Sequence, residues 1–525
     1  MLGMNDVDSS SPLDGLMQSF RLKASELFLR EDWHDSIAAY SDLVNLCQAY
    51  VQQDNDNVRK SLCLAFSNRA EARFRLGMFS EALADCDLAL AVEGNHFKSL
   101  LCKGKILLAL NRYSKASLWF KTALVDSQGS GNAVSLNEYV EICRRLDQQS
   151  RTGVFDISDW VLGGFQPKSP ELAEYVGPLE IRKSSLSGRG LFATKDMEMG
   201  TVLLVTRAIA VERGILSGDE TNEVDSRLVM WKNFVEKVVD SATKWNRVHK
   251  LILTLSDGKD EELLQVPELR IFKPDYEEEV PTMSEQVDSS KVLSILAANS
   301  VVEDSISAKV LGKNSNYYGV GVWLLPSFVN HSCNPNARRL HIGDHVILLA
   351  SRNMKAGDEI TFCYFDVLMP FHKRAQESKS WGFCCCCKRC EFEKGFMSKL
   401  EWEEIGRKVE RGGVHLAAAL LRLEDEMRKR SVRGNAKGYL RASFWGAYSK
   451  MFESNRAISR KLPPVDAIVD TIMEAMGSDE RLLRVLVSGS RKNGGEWEKI
   501  IKIARGVYAK VMKKQAMKSL LGADV

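Results

Sequence analysis

The spacing of apolar residues changes character three times along the chain. From about Phe20 to Leu124 they recur at helical intervals, and the pattern copies itself. Ala70, Phe79, Ala82 and Leu90 are answered 34 residues later by Gly104, Tyr113, Ala116 and Leu124. An earlier copy, Ala24, Phe28, Trp33 and Ser36, is displaced by an insertion around Gln52 to Val58. Small residues fall where paired helices touch, and an aromatic falls near each turn. From Asp126 to Pro178 the pattern weakens: Asn137 to Gln149 reads as a last helix, followed by a linker rich in Gly, Pro and Ser. Strand-like segments then appear at Leu179 to Arg182 and Thr201 to Val205, and an apolar, glycine-bearing stretch, Tyr317 to Leu325, reads as a buried strand. Between them Arg213 to Ser300 is charged and helical in pattern, and reads as an insertion packed against the strands. After Glu391 helical spacing returns at Leu416 to Leu423 and Ala467 to Met476, and the basic stretch Lys510 to Lys518 reads as a solvated helix face.

A period of 34 residues with this placement of small and aromatic positions resembles the tetratricopeptide repeat, a helix–turn–helix unit that stacks into a solenoid. The resemblance covers about three repeats. It implies a face that binds a peptide or packs against the rest of the chain. Some members of that family grip a chaperone's terminal carboxylate with lysine, asparagine and arginine side chains. Here Asn68 and Lys98 match that set and Arg21 stands where a lysine is usual, whereas Ser25 and Cys102 depart from it.

Composition narrows the function classes. A length of 525 residues suggests about three domains. A formal charge of +3 provides no basic face for nucleic acid, and direct nucleic-acid binding is not expected. No segment approaches the run of about 18 apolar residues that a membrane span needs. The serine-rich, acidic stretch Met1 to Pro12 lacks the apolar core of a secretory signal and the arginines of a transit peptide, so the cytoplasm or the nucleus is expected.

In a reducing compartment, clustered cysteines point to metal ligation more than to disulfides. Cys47, Cys63, Cys86, Cys102 and Cys143 are scattered without ligand-like spacing and read as small buried hydrophobes. None occurs between Cys143 and Cys333, and the remaining seven fall between Cys333 and Cys390. Cys385, Cys387 and Cys390 form a Cys-x-Cys-x-x-Cys triple, and Cys333 is available as the fourth ligand. Cys384 and Cys386 compete for the same ion. A site closed by four thiolates leaves no position for water, so zinc there would be structural.

Four motifs then appear in a fixed order: Ser187-Gly188-Arg189-Gly190-Leu191-Phe192, Asn330-His331-Ser332-Cys333-Asn334-Pro335-Asn336, Gly357-Asp358-Glu359-Ile360-Thr361 leading to Tyr364, and the cysteine-rich tail. Together they resemble a SET-domain protein methyltransferase with its post-SET zinc element, over about Leu179 to Glu393. The closest type is the SMYD-like group, whose cysteine after Asn-His-Ser completes the zinc site. The chain departs from that group in lacking a MYND finger, since Arg213 to Ser300 holds no cysteine. Its repeats resemble those of tetratricopeptide-repeat SET proteins.

The resemblance implies S-adenosylmethionine as cofactor and a lysine-bearing protein, histone or other, as substrate. Gly188, Arg189 and Gly190 would bring backbone close to the cofactor, Asn330 and His331 would contact it, and Phe383 would lie over its adenine. Tyr364 occupies the catalytic tyrosine position. Asp358 and Glu359 are expected to shape a turn, and Asp366 to be a surface or packing residue. Cofactor and target are expected to enter from opposite faces, joined by a narrow channel. The domain plan is an all-α repeat solenoid over residues 18–150, a linker over 151–178 and a mainly-β SET fold over 179–393. That fold holds a helical insertion at about 213–300 and a zinc element at 381–393, and residues 394–525 form a helical C-terminal region. The rival reading is a catalytically inactive zinc-containing adaptor with the same architecture.

Overall fold

The computed structural model describes residues 12–50, 55–125, 133–165, 169–216, 220–259, 264–274, 276, 286–303, 317–396, 398–411, 413–454, 461–493 and 497–521. The insertion expected around Gln52 therefore lies partly outside the described residues. The chain divides into two compact units. The first is Met1–Arg151 with Ala242–Asn246 and Pro274–Glu285, and the second is the remainder.

Seven helices build the first unit: α1 (Pro12–Leu29), α2 (Trp33–Tyr50), α3 (Asp56–Arg75), α4 (Phe79–Val92), α5 (Phe97–Ala109), α6 (Tyr113–Val125) and α7 (Ala133–Thr152). The repeating small residues explain how they pack. Ala24, Ser36, Ala70, Ala82 and Ala116 are fully buried, and their short side chains let successive helices approach closely. The aromatics close the turns: Phe28 meets Trp33 edge-on at 5.1 Å and Phe74 meets Phe79 at 5.7 Å. Trp245 packs edge-on against Phe79 at 4.4 Å. Buried Asp85 joins α4 to α3 by accepting from Arg69 and Arg73, each at 2.7 Å.

Gly104 sits where α5 crosses α6. A Cβ there would stand 2.5 Å from the buried ring of Phe120, which is itself stacked on Tyr139 at 4.8 Å and has nowhere to retreat. Gly104→Ala is therefore expected to cost about 1–3 kcal/mol through overpacking. Denaturant unfolding of the repeat unit checks this, and an unshifted midpoint would contradict it.

The residues matching the carboxylate-gripping set lie in one connected row. Lys98 donates to the Asn68 side chain, Asn68 Nδ2 donates to the Tyr40 hydroxyl at 2.9 Å, and that hydroxyl lies 3.3 Å from Ser25 Oγ. Cys102, the other departure, is buried.

Eleven strands are described in the second unit: β1 (Tyr175–Val176), β2 (Leu179–Lys183), β3 (Arg189–Ala193), β4 (Val202–Arg207), β5 (Ala210–Ile215), β6 (Val301–Val302), β7 (Tyr317–Val322), β8 (Asn330–His331), β9 (Ala337–Ile342), β10 (His345–Ala350) and β11 (Thr361–Phe362). They form small sheets in the orders β1-β4-β10-β9, β5-β7-β6 and β2-β3, plus a parallel pair of β8 with β11. The parallel pair brings two motifs, 31 residues apart in sequence, side by side (Thr361 opposite Asn330, Phe362 opposite His331). The loop after β8 is clasped by Asn336, whose Nδ2 donates to the Glu359 carbonyl and whose Oδ1 accepts from the Thr361 amide, both at 2.8 Å.

Three sequence expectations change here. The first strands were expected at Leu179 to Arg182 and Thr201 to Val205, but Arg189–Ala193 between them is also a strand, β3, hydrogen-bonded to β2. The helical insertion was expected from Arg213, but that residue lies inside β5, held in register against β7. The segment read as a linker buries Phe155, Ile157, Trp160 and Val161, and the Ile157 amide donates to the Val511 carbonyl at 2.9 Å. Its apolar side chains pack against the C-terminal segment, which single-segment reading could not see. At Lys510 to Lys518 the lysines 513 and 514 do face solvent, while Val511, Met512, Ala516 and Met517 are buried. Among the described residues no helix is long and apolar enough to cross a membrane.

Candidate active site

The β2–β3 turn is tight enough to require glycine. Gly188 has φ +45°, and the Ser184 amide donates back to the Gly188 carbonyl at 3.0 Å. Next to it Asn330 fastens the turn to the second motif, its Nδ2 donating to the carbonyls of Ser187 and Arg189 at 3.1 Å and to Glu359 Oε1 at 2.8 Å. Ser184 Oγ reaches the same carboxylate at 2.8 and 2.9 Å. A Cβ on Gly190 would stand 2.5 Å from Glu359 Oε1, so this glycine is needed for the carboxylate to approach. Asp358 shapes a turn as expected, accepting from the Lys355 amide at 2.8 Å. Glu359 does more: it joins the first three motifs. Sequence reading missed this because the partners lie 29 and 175 residues away.

His331 is buried, and both of its ring nitrogens are engaged. The Tyr364 amide donates to Nδ1 at 3.1 Å, which places the proton of the neutral ring on Nε2, 3.3 Å from Cys333 Sγ. One imidazole thus links the backbone of Tyr364 to the cysteine cluster. The Tyr364 hydroxyl donates to the Val329 carbonyl at 3.0 Å. Its ring lies 5.2 Å from both His331 and Trp381 and 6.0 Å from Phe383, an aromatic cage only partly foreseen.

These groups line one cavity of about 650 Å³, walled by Gly188, Arg189, Asn330, His331, Tyr364 and Phe383. The insertion supplies another wall through Leu255, Ser256, Leu264 and Asn299. It is tied in place by Arg189, whose guanidinium donates to the carbonyls of Thr254 at 2.7 Å and Gln265 at 3.0 Å. The side chain of Arg189 therefore anchors the insertion, and sequence reading had given that insertion no part in the site.

A second cavity, of about 630 Å³, is lined by Arg338, Phe362 to Val367, Asp479, Arg481 and Tyr508. Among the described residues, Tyr364 is the residue common to both linings. Asp366, expected to be a surface or packing residue, accepts a bidentate ion pair from Arg481 at 2.7 Å on each oxygen. The C-terminal helices thereby reach a residue two places from Tyr364. Burial opposes ionisation of Asp479, yet the guanidiniums of Arg338 and Arg481 hold its carboxyl below the usual range.

The thiol sulfurs of Cys333, Cys385, Cys387 and Cys390 all lie within 4.8 Å of one another. Cys384 and Cys386 are exposed and outside this group. Four thiols so close cannot all ionise unaided. Hydrogen bonds from Cys333, Cys385 and Cys390 push the Cys387 thiol far down, while the Cys333 thiol is pushed up to about 12, first by its hydrogen bond with Cys363. A divalent cation resolves that conflict. Ligand number, chemistry and proximity fit zinc held by all four sulfurs.

Beneath the cluster lies a buried charge network. Arg374 Nη1 donates to Cys390 Sγ at 3.4 Å, and Arg389 Nη1 donates to the Cys333 carbonyl at 3.1 Å. Both guanidiniums pair with Glu393, and all three side chains are fully buried. Ser443 Oγ donates to Glu393 at 2.7 Å and accepts from Arg389 at 2.9 Å. Glu393→Gln removes the carboxylate that two buried cations share and should cost about 3–5 kcal/mol. Urea unfolding of the full chain checks this; a shift below 1 kcal/mol, on the order of a surface pair, would mean the network is screened.

A family model described as the SET domain matches residues 188–365. The chain carries a SET domain. The match begins at Gly188 and ends one residue past Tyr364, so it contains the first three motifs apart from Ser187 and stops before the cysteine run. A protein of Gibberella zeae named methyltransferase is 28% identical over 411 residues, covering 74% of this chain and 52% of that protein. The histone-lysine N-methyltransferase SMYD3 of Mus musculus is 41% identical over 81 residues, 15% of this chain and 19% of that protein. The chain thus spans about half the length of the first of these relatives and less of the second. The solved complex of the TPR2B domain of yeast Sti1 with an Hsp70 peptide is 23% identical, covering 25% of this chain and 96% of that one, with a TM-score of 0.21.

Proposed function

We propose that this chain is an S-adenosylmethionine-dependent protein-lysine N-methyltransferase, acting on a histone or another protein that its helical repeats help to recruit. The observation that carries the reading is Tyr364 standing in the walls of two cavities at once. The first, of a size suited to a cofactor, has the glycine turn, Asn330 and Phe383 in its lining, and would hold S-adenosylmethionine. When bound there, that molecule supplies a methyl group on a sulfonium. The second would take the lysine-bearing segment.

The protein's part is alignment. Methyl transfer is an in-line displacement, so fixing donor and acceptor in one axis removes much of the barrier. The Tyr364 hydroxyl would accept from or donate to an incoming amine, with His331 bonded to its backbone amide and aromatic rings packed around its own. The target lysine must arrive neutral although its ordinary pKa is about 10.4. The rings of Phe362 and Trp381, 5.5 and 5.2 Å from that of Tyr364, would disfavour the ammonium there through desolvation. Zinc at Cys333, Cys385, Cys387 and Cys390 would hold the Phe383 segment without touching the reaction.

The row Lys98–Asn68–Tyr40–Ser25 supports a peptide carboxylate as the ligand of the repeats, with Lys98 as its charged member. The overall reading is tested by incubating the zinc-loaded protein with labelled cofactor and a protein mixture. Label appearing on lysine supports it. No transfer together with no cofactor binding overturns it in favour of the adaptor.

A further inference from the structure

A second set of ligand-type side chains converges within the helical repeats, far in sequence from the SET domain. Cys63 lies on α3, Glu93 caps the C-terminal end of α4 and His96 occupies the N-cap of α5. The Cys63 sulfur, a Glu93 carboxylate oxygen and a His96 ring nitrogen all lie within 4.8 Å of one another. The local chain explains the meeting. The His96 amide donates to the Glu93 carbonyl at 3.1 Å, a tight turn that brings the two side chains together. Cys63 is delivered by the packing of α3 on α4, its thiol facing the Ala89 carbonyl at 3.6 Å. The His96 ring is held from behind, with Nδ1 2.9 Å from Ser99 Oγ, the outer hydrogen bond that metal-ligating histidines ordinarily make.

The other cysteines of the repeats set a contrast. Cys47, Cys86, Cys102 and Cys143 are buried as well, but among the described residues none of them joins a group of three metal-ligating side chains. All five look alike in the sequence, because the three ligands come from three separate elements with no motif spacing between Cys63 and Glu93. Only folding separates Cys63 from the rest.

We propose that Cys63, Glu93 and His96 form a three-ligand site for a divalent cation of the zinc class, which clasps α3 to the α4–α5 turn. One thiolate, one imidazole and one carboxylate suit a borderline ion such as zinc or cobalt and disfavour magnesium or calcium. Three protein ligands leave a fourth position open, for water or a partner's side chain. Binding releases the Cys63 proton to solvent, so the metal–sulfur bond replaces the thiol's contact with Ala89. The site stands apart from the methyl-transfer reading and survives if that reading fails.

The experiment titrates full-length protein, purified with its own metals, with cobalt(II) and follows the sulfur-to-cobalt charge-transfer absorption. The wild type is expected to take up one cobalt with that band, and zinc should displace it. Cys63→Ser should abolish the band, and His96→Ala, in a half-exposed turn, should weaken binding by more than about 100-fold, since it removes a ligand itself and an outer-shell partner alone costs up to that much. Cys143→Ser should leave binding unchanged, and circular dichroism verifies that each variant folds. If wild type and His96→Ala show the same uptake and the same spectrum, including no uptake in either, the proposal is overturned. A band that persists in Cys63→Ser overturns it equally.

Discussion

Tyr364→Phe should lower methyl transfer by about a hundredfold or more while leaving cofactor affinity nearly unchanged. The expected size is that of removing one preorganised hydroxyl from a reacting centre. In the resting protein that hydroxyl donates to the Val329 carbonyl, and losing one such bond costs about 1 kcal/mol of stability. A large kinetic effect with a small stability effect is therefore the signature of a group acting on substrate. Single-turnover transfer to a peptide, with cofactor affinity by calorimetry and unfolding by urea, separates the two. Turnover at the wild-type level would demote Tyr364 to a wall residue. A large stability loss would make any rate effect uninterpretable, and Tyr364→Leu would then report on the ring alone.

Cys387→Ser should release the metal and remove cofactor binding with it. Structural zinc is worth about 10–16 kcal/mol of apparent binding free energy in small domains, so breaking one ligand can unfold what it holds. Here that includes Phe383 and the cysteine segment lining the first cavity. It also includes Cys333, through which His331 and the Tyr364 backbone are fixed. Elemental analysis should fall by one zinc per chain. Hydrogen exchange should rise at residues 381–393 and at 329–334, while β4 and β10 stay protected. Retention of metal and of cofactor affinity in this variant would contradict the four-cysteine assignment. Chelation of the wild type should reproduce the variant's exchange pattern.

Local pattern was enough for much of this architecture. The 34-residue period located the helix pairs because each helix must bury small residues against its neighbour, and that demand is written at fixed offsets. The cysteine tail was legible for a similar reason, since short spacing alone brings three sulfurs together. What stayed hidden depends on pairs that only the fold creates. Glu359 looked like a turn residue until Asn330 and Ser184 were seen to meet its carboxylate. Arg189 was read through its backbone, but its guanidinium holds Thr254 and Gln265. Asp366 had no visible partner because Arg481 lies 115 residues on. Charged side chains commit to partners late in folding, and periodicity carries no record of the choice.

The two cavities that share Tyr364 have a kinetic consequence on the proposed reading. If donor and acceptor occupied one cavity, spent donor could leave only after the protein substrate had cleared the way. With two cavities that have Tyr364 in common, either ligand would exchange while the other stays seated. On the proposed reading the order of addition is then free, and one encounter with a protein substrate can outlast several cofactor turnovers. How many methyl groups a lysine receives would be decided by room around the Tyr364 hydroxyl and by the dwell time in the second cavity. On the same reading the Asp366–Arg481 pair in its lining would bear on residence time rather than on chemistry.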